Sequence, residues 1–136
     1  MKDVTLPEHA LKEAIARVGD GPVVMMNLLT FRDSPLYPEG FADRKASARA
    51  AYYEGYAGAF GQIAAQLGIV YELVHAGRQL LTLVPPEPES WDDIVLVRYR
   101  NLSDLRRITE TDDYARLAAP HRLAAIAAWR FIATQS

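Results

Sequence analysis

Residues 91–99 read Trp-Asp-Asp-Ile-Val-Leu-Val-Arg-Tyr, and this stretch decides the fold. Ile94, Val95, Leu96 and Val97 are four consecutive apolar residues, rich in branched side chains and bounded by turn signals. Such a run is the signature of a strand buried on both faces. Alternation then puts Trp91, Asp93, Val95, Val97 and Tyr99 on one side and Ile94, Leu96, Arg98 and Arg100 on the other. The expectation is a central strand with a helix layer on one face and a second surface on the other.

A second run, Val23 to Phe31, is as apolar and reads as another strand, with Val23, Met25, Asn27, Leu29 and Phe31 on one side. Asn27 is its odd member, a primary amide in the middle of an apolar strand. Before it, Thr5-Leu6-Pro7-Glu8 has the form of a helix start, with Leu11, Ile15 and Val18 on one face and Gly19-Asp20-Gly21-Pro22 as the stop. After it, Arg32 to Gly40 is a loop, and Tyr52, Tyr56, Phe60, Ile63 and Leu67 recur at helical spacing within a predicted helix from Phe41 to Leu67. Gly55, Gly58 and Gly61 lie inside that helix on a narrow stripe, which a close approach to another element would explain.

Ile69 to His75 and Arg78 to Val84 read as two strands around Ala76-Gly77, and Pro85 to Ser90 as a loop into the central strand. Asn101 or Ser103 caps a short helix ending near Glu110, and Thr111-Asp112-Asp113 restarts helix. Pro120 opens a final helical segment with Leu123, Ile126 and Ala127 inward, and Trp129 to Ala133 alternates as a last strand.

The chain has 136 residues, half of them hydrophobic, with no cysteine and a formal net charge of −2. That suits a single domain over 1–136, with 1–21 as an N-terminal helical extension. The lack of cysteine excludes disulfide scaffolds, thiol catalysis and Cys-based metal sites. The charge argues against nucleic acid as a partner, and no apolar run approaches the ~20 residues of a membrane span. With no hydrophobic signal region at the N-terminus, the expected location is cytoplasmic. The three histidines, at 9, 75 and 121, show no ligand spacing, so neither a metal nor another cofactor is expected.

The element order β-α-β-β-α-β is that of a ferredoxin-like split βαβ domain, an α+β fold with an antiparallel sheet. The segment Pro22-Val23-Val24-Met25-Met26-Asn27-Leu28-Leu29-Thr30-Phe31-Arg32 resembles the first strand of a bacterial family called domain of unknown function thirteen-thirty, of the dimeric α+β barrel superfamily. The likeness continues through Ala76-Gly77-Arg78, Trp91 to Tyr99, Asp113-Tyr114 and Ala119-Pro120-His121-Arg122. The resemblance implies a homodimer in which two sheets meet face to face, and no established reaction. Superfamily relatives include cofactor-independent monooxygenases and small-molecule isomerases, an analogy at the level of fold only. A one-layer helix cover likewise leaves the other sheet face, expected to carry Met25, Leu29, Val95 or Leu96, in need of a partner.

Several residues are candidates for a site, each with a plainer alternative. Asn27 can orient an oxygen-bearing group in a cavity, or be a structural amide bonded to backbone. His121 can serve as a general base and Arg122 can hold a carboxylate; both can equally be ordinary helix-terminus residues. Tyr56, Trp91, Tyr99 and Tyr114 can line a pocket for an aromatic or polyketide-like ligand, or anchor a core or interface. Asn27, Tyr99, His121 and Arg122 are expected to converge on one cavity. Two functions remain open: a cofactor-independent enzyme acting on a small organic ligand with His121 and Asn27 as its catalytic pair, or a non-catalytic dimer that binds a metabolite or serves as an interaction module.

Overall fold

The computed structural model describes residues 4–85 and 89–135. Strand β1 (Val23–Phe31) lies at the centre, antiparallel to β3 (Asp93–Tyr99) on one side and to β4 (Ile126–Thr134) on the other. Strand β2 (Tyr71–Arg78) pairs antiparallel with β3 and forms one edge, giving the order β2-β3-β1-β4. The two apolar runs are thus neighbours, with Met25 opposite Val97 and Asn27 opposite Val95. This is the ferredoxin-like α+β arrangement expected from the sequence.

Helices cover one face. Helix α1 spans Ala10–Val18. Helix α2 is α over Ala48–Ala50, π over Ala51–Tyr56 and α again over Ala57–Gln66. Helix α3 spans Leu102–Thr109, and α4 is π over Tyr114–Ala118 and α over Ala119–Ala125. Two buried clusters lie between this layer and the sheet: one joins Met25 and Tyr99 to Phe60, Leu105 and Ile108, the other joins Leu29 and Val95 to Tyr52 and Ile126. Among the described residues no helix is long and apolar enough to cross a membrane.

Several boundaries differ from the sequence reading, each for a local reason. Helix α1 begins at Ala10, because His9 takes a left-handed conformation (φ 66°) and ends the Thr5–Glu8 stretch as a loop. Helix α2 begins only after Ser47, whose hydroxyl accepts from the Ala50 amide. Phe41, the expected first residue of that helix, instead stacks on Tyr37 at 5.2 Å within the loop. The expected strand pair around Ala76-Gly77 is one strand with a bulge between Leu73 and His75, and residues 79–85 leave the sheet. Part of the loop read over Pro85–Ser90 lies outside the described residues, at 86–88. Asn101, not Ser103, caps α3, while Ser103 is bonded to Asp20. Ile126 and Ala127 belong to β4, not to the preceding helix.

The faces of the sheet also need correcting. Met25, Leu29 and Val95 point into the helix-covered core. The uncovered face instead carries Met26, Leu28, Ile94, Leu96 and Ile132, with Met26 opposite both Leu96 and Ile132 and Leu28 opposite Ile94. Trp91 precedes the strand, past the bend at Asp92, and escapes its alternation. Its ring sits under Arg130, 5.6 Å from the guanidinium carbon.

The loop between β1 and α2 is fastened to α4. The amides of Arg32 and Leu36 donate to the carbonyls of Ala125 and Ala124, satisfying acceptors that the helix end would otherwise orphan. His121, 2% exposed, closes the seam. The Tyr37 hydroxyl accepts from the Lys45 amide and is hydrogen-bonded to His121 Nδ1 at 2.7 Å, while Nε2 lies 3.5 Å from Asp43. The ring lies edge-on to Tyr37 and Phe41. It fits because residue 55 is glycine: a Cβ there would lie 2.3 Å from Nδ1. Of the other two glycines in the stripe, Gly61 faces the Tyr71 hydroxyl and Gly58 has open space beside it.

Two outcomes follow from this seam. Alanine for glycine inside a helix ordinarily stabilises by about 0.5–1 kcal/mol, but Gly55→Ala should destabilise by ~1–3 kcal/mol through overpacking; denaturant midpoints at constant m-value measure the sign. Burial lowers the His121 pKa from its ordinary 6.5, with the Asp43 charge opposing. Between the lowered value and 6.5 the unfolded chain binds a proton that the folded chain does not, so this contribution is complete above 6.5 and is lost as pH falls below it. The stability gap between wild type and His121→Gln should therefore be constant above that pH and narrow beneath it. A gap that widens on acidification would contradict the neutral ring.

Candidate functional site

Between the covered face of the sheet and helices α2 and α4 lies a cavity of about 270 Å³. Its floor is Asn27 of β1, Val95, Val97 and Tyr99 of β3, and Trp129 and Phe131 of β4. Its roof is Tyr52, Tyr53, Tyr56 and Phe60 of α2 with Tyr114 of α4. The π segments place the roof tyrosines. A π-helix closes its hydrogen bonds over five residues, so it widens the turn and changes which side chains share a face. In α2 this brings Tyr52, Tyr53 and Tyr56 to the cavity together, with Tyr52 stacked on Tyr56 at 5.4 Å. Tyr114 opens the second π segment and meets Tyr56 hydroxyl to hydroxyl at 2.9 Å.

Asn27 is satisfied on both sides. Its Oδ1 accepts from the Trp129 indole at 3.0 Å and its Nδ2 donates to the Val95 carbonyl at 3.3 Å. It thereby fixes the Trp129 ring in the floor. Arg122 lies over that ring, its guanidinium carbon 4.6 Å from the centroid and 6.0 Å from that of Tyr56. The side chain is 4% exposed. One Nη donates to the Val4 carbonyl, and among the described residues Nε has no acceptor and no carboxylate pairs with the guanidinium.

Five of the residues singled out in the sequence therefore share this cavity: Asn27, Tyr56, Tyr99, Tyr114 and Arg122. His121 and Trp91 do not line it. His121 is next to Arg122 in the chain, but adjacent helical side chains point in different directions, and the ring turns to the loop seam beside Gly55. Trp91 is held on the other side of the sheet by Arg130. The four-residue convergence expected of Asn27, Tyr99, His121 and Arg122 is thus a convergence of three.

The sequence reading did not single out Tyr53, Trp129 or Asp93 for the site. Asp93 is 2% exposed and continues the floor face of β3 beyond Val95. Its Oδ2 accepts from Tyr53 at 2.5 Å and from Arg49 at 2.6 Å, while Oδ1 has no partner. The signal was present: a carboxylate on the same face as Val95 and Val97 must find a cation or donors.

Chemically the cavity is a set of donors among aromatic walls. Burial pushes the Tyr52, Tyr56 and Tyr99 hydroxyls above their ordinary pKa, so all are protonated at neutral pH. For Tyr53 burial comes first and the Asp93 hydrogen bond adds to it. Among the described residues Arg122 supplies the one formal charge on the lining, and no aspartate, glutamate, histidine or lysine lines it.

No family model matches the chain, and no curated protein does. Two crystal structures of RPA0582, a protein of unknown function from Rhodopseudomonas palustris, are similar along the whole length, both at 25% identity. The methylated form gives a TM-score of 0.78 over 99% of this chain and 95% of that one; the other gives 0.77 over 100% and 98%. A dimeric protein of unknown function and ferredoxin-like fold from Bacteroides fragilis aligns over 85% of this chain and 97% of its own, with a TM-score of 0.52 and 13% identity. The likenesses agree with the observed fold and attach no specific activity to it.

Proposed function

We propose that the protein binds a small organic ligand in the aromatic cavity and works as a homodimer, as a member of the family of unknown function thirteen-thirty. The observation that carries the binding reading is the lining itself. Apolar and aromatic walls with a few convergent polar groups are what small-molecule sites offer, and here those groups are protonated hydroxyls and a guanidinium. With no base on the lining, binding is favoured over proton-transfer catalysis. One observation favours an enzyme instead: Tyr53, at the cavity, donates to the buried Asp93, whose second oxygen is unpartnered.

The homodimer is supported by apolar surface in two places. One is the uncovered sheet face around Met26, Leu28, Ile94 and Leu96. The other is the segment after β2, where Leu80 and Val84 are 96% and 86% exposed. Contiguous apolar surface of this kind marks association, and a two-fold pairing is the commonest form. The Bacteroides fragilis protein of like fold is dimeric.

Sedimentation at micromolar concentration should give twice the monomer mass, and Leu96→Glu should shift it towards monomer. A wild-type monomer under those conditions would sink the assembly. Calorimetric titration with a neutral aromatic probe, 1-naphthamide, should show saturable binding that is lost in Val97→Trp, which fills the cavity. Asn27→Ala should destabilise by about 1–3 kcal/mol, the cost of leaving a buried donor unpaired, and should also weaken the probe by freeing the Trp129 ring. Unchanged stability would show that the indole needs no such anchor.

A further inference from the structure

We infer that the ligand is a small aromatic carboxylate, one or two rings in size, whose anionic oxygens sit against Arg122. The inference rests on the binding reading above and gives it a chemical class. Arg122 is the centre of the case. A guanidinium remains charged at every pH a folded protein meets, and taking such a charge out of water is costly unless it is paired. Here the compensation is partial. The Val4 carbonyl takes one donor, the faces of Trp129 and Tyr56 lie within cation–π reach, and the buried Nε–H has no acceptor. Of the carboxylates nearby, Glu8 and Glu110 line an adjoining hollow with Arg122, but Glu8 is exposed and lies beside His9 and Glu110 is bonded to Arg106, while Asp93 is held by Arg49 and Tyr53. Among the described residues the cavity is therefore electropositive, with no carboxylate paired to Arg122.

A second donor lies close by. In the Tyr56–Tyr114 pair one hydroxyl donates to the other, and the acceptor's own hydrogen is left over. That hydrogen and the guanidinium serve the two oxygens of a carboxylate. Burial raises the Tyr56 pKa and keeps that hydroxyl protonated, so the pair can donate to a ligand oxygen. The rest of the lining selects the body of the ligand. Trp129 and Phe131 are stacked at 4.8 Å in the floor with Tyr99, and Tyr52 and Phe60 face them from the roof. Aromatic rings meet such walls in offset or edge-on contacts. The volume of about 270 Å³ lies at the small end of ligand pockets, which limits the body to one or two rings.

The test compares two probes of one shape, 1-naphthoate and 1-naphthamide, by calorimetry on the intact wild-type protein at neutral pH. Naphthoate should bind about tenfold to a hundredfold more tightly, the range for a hydrogen bond gained to a charged group. Arg122→Gln should abolish the preference by weakening naphthoate and leaving naphthamide nearly unchanged, and Arg122→Lys should retain part of it. Equal affinities in the wild type would overturn the carboxylate class and leave the cavity reading standing. Binding of neither probe would overturn both. A preference that survives in folded Arg122→Gln would move the anion site elsewhere and overturn the role of Arg122. The wild-type comparison decides the class even if that variant fails to fold.

Discussion

The side chain of Asn27 reaches both neighbours of the central strand. Its carbonyl oxygen holds Trp129 of β4, and its amide nitrogen holds the Val95 carbonyl of β3. The backbone ladder alone fixes β1 between these strands, but it leaves the indole free to turn. With the ring held flat in the floor, Arg122 has a surface to lie on, and the roof tyrosines face a defined wall. A leucine at position 27 would fit the apolar pattern of the strand better and would leave the indole N–H in an apolar environment with no partner, a cost of several kcal/mol at most. The polar interruption of an otherwise apolar strand is thus a feature of the site as much as of the sheet.

Above the floor, the decisive departure from regular structure is the pair of π segments. A helix that widens its turn gives up some backbone regularity, and such segments recur where function needs a side chain turned out of the regular phase. Here both covering helices widen where they carry cavity tyrosines, Tyr52, Tyr53 and Tyr56 in one and Tyr114 in the other. The two segments touch through the Tyr56–Tyr114 hydroxyl pair. That contact sets the height of the roof above the sheet, and so the thickness of the ligand that can lie between.

What was legible in the sequence follows from which forces act locally. The apolar runs at 23–31 and 94–97 can only be satisfied in the middle of a sheet, and the β-α-β-β-α-β order of elements makes them neighbours there. The sheet face could not be read from Met25 and Val95 alone. In a run apolar on both sides, nothing but the tertiary contacts tells which set of residues the helices cover. Trp91 was misplaced because alternation was extended past a bend. The helix expected from Phe41 starts only after Ser47, because the spacing that marks it begins at Tyr52 and Phe41 packs on the Tyr37 ring in the loop. Of the cavity lining, Asn27, Arg122, Tyr56, Tyr99 and Tyr114 carry polar tips that mark them as candidates in the sequence, whereas nothing there marks Tyr53 or the direction of His121. The phase of α4 at residues 121 and 122 depends on the π segment just before it, and a count at 3.6 residues per turn misses that offset. Asp93 was overlooked because its partners, Arg49 and Tyr53, lie more than 39 residues away in the chain.

The seam between Gly55 and His121 also bears on how the chain can change over time. The space a methyl group would need at position 55 is already filled by an imidazole ring, so the two positions form one heritable unit. A side chain can enter at 55 only after the ring at 121 has been replaced by something smaller. In that order, loss of the ring leaves a void that the new side chain then refills. Mutational paths through this pair are therefore ordered, and along them the Tyr37 hydroxyl must find another acceptor or give way as well.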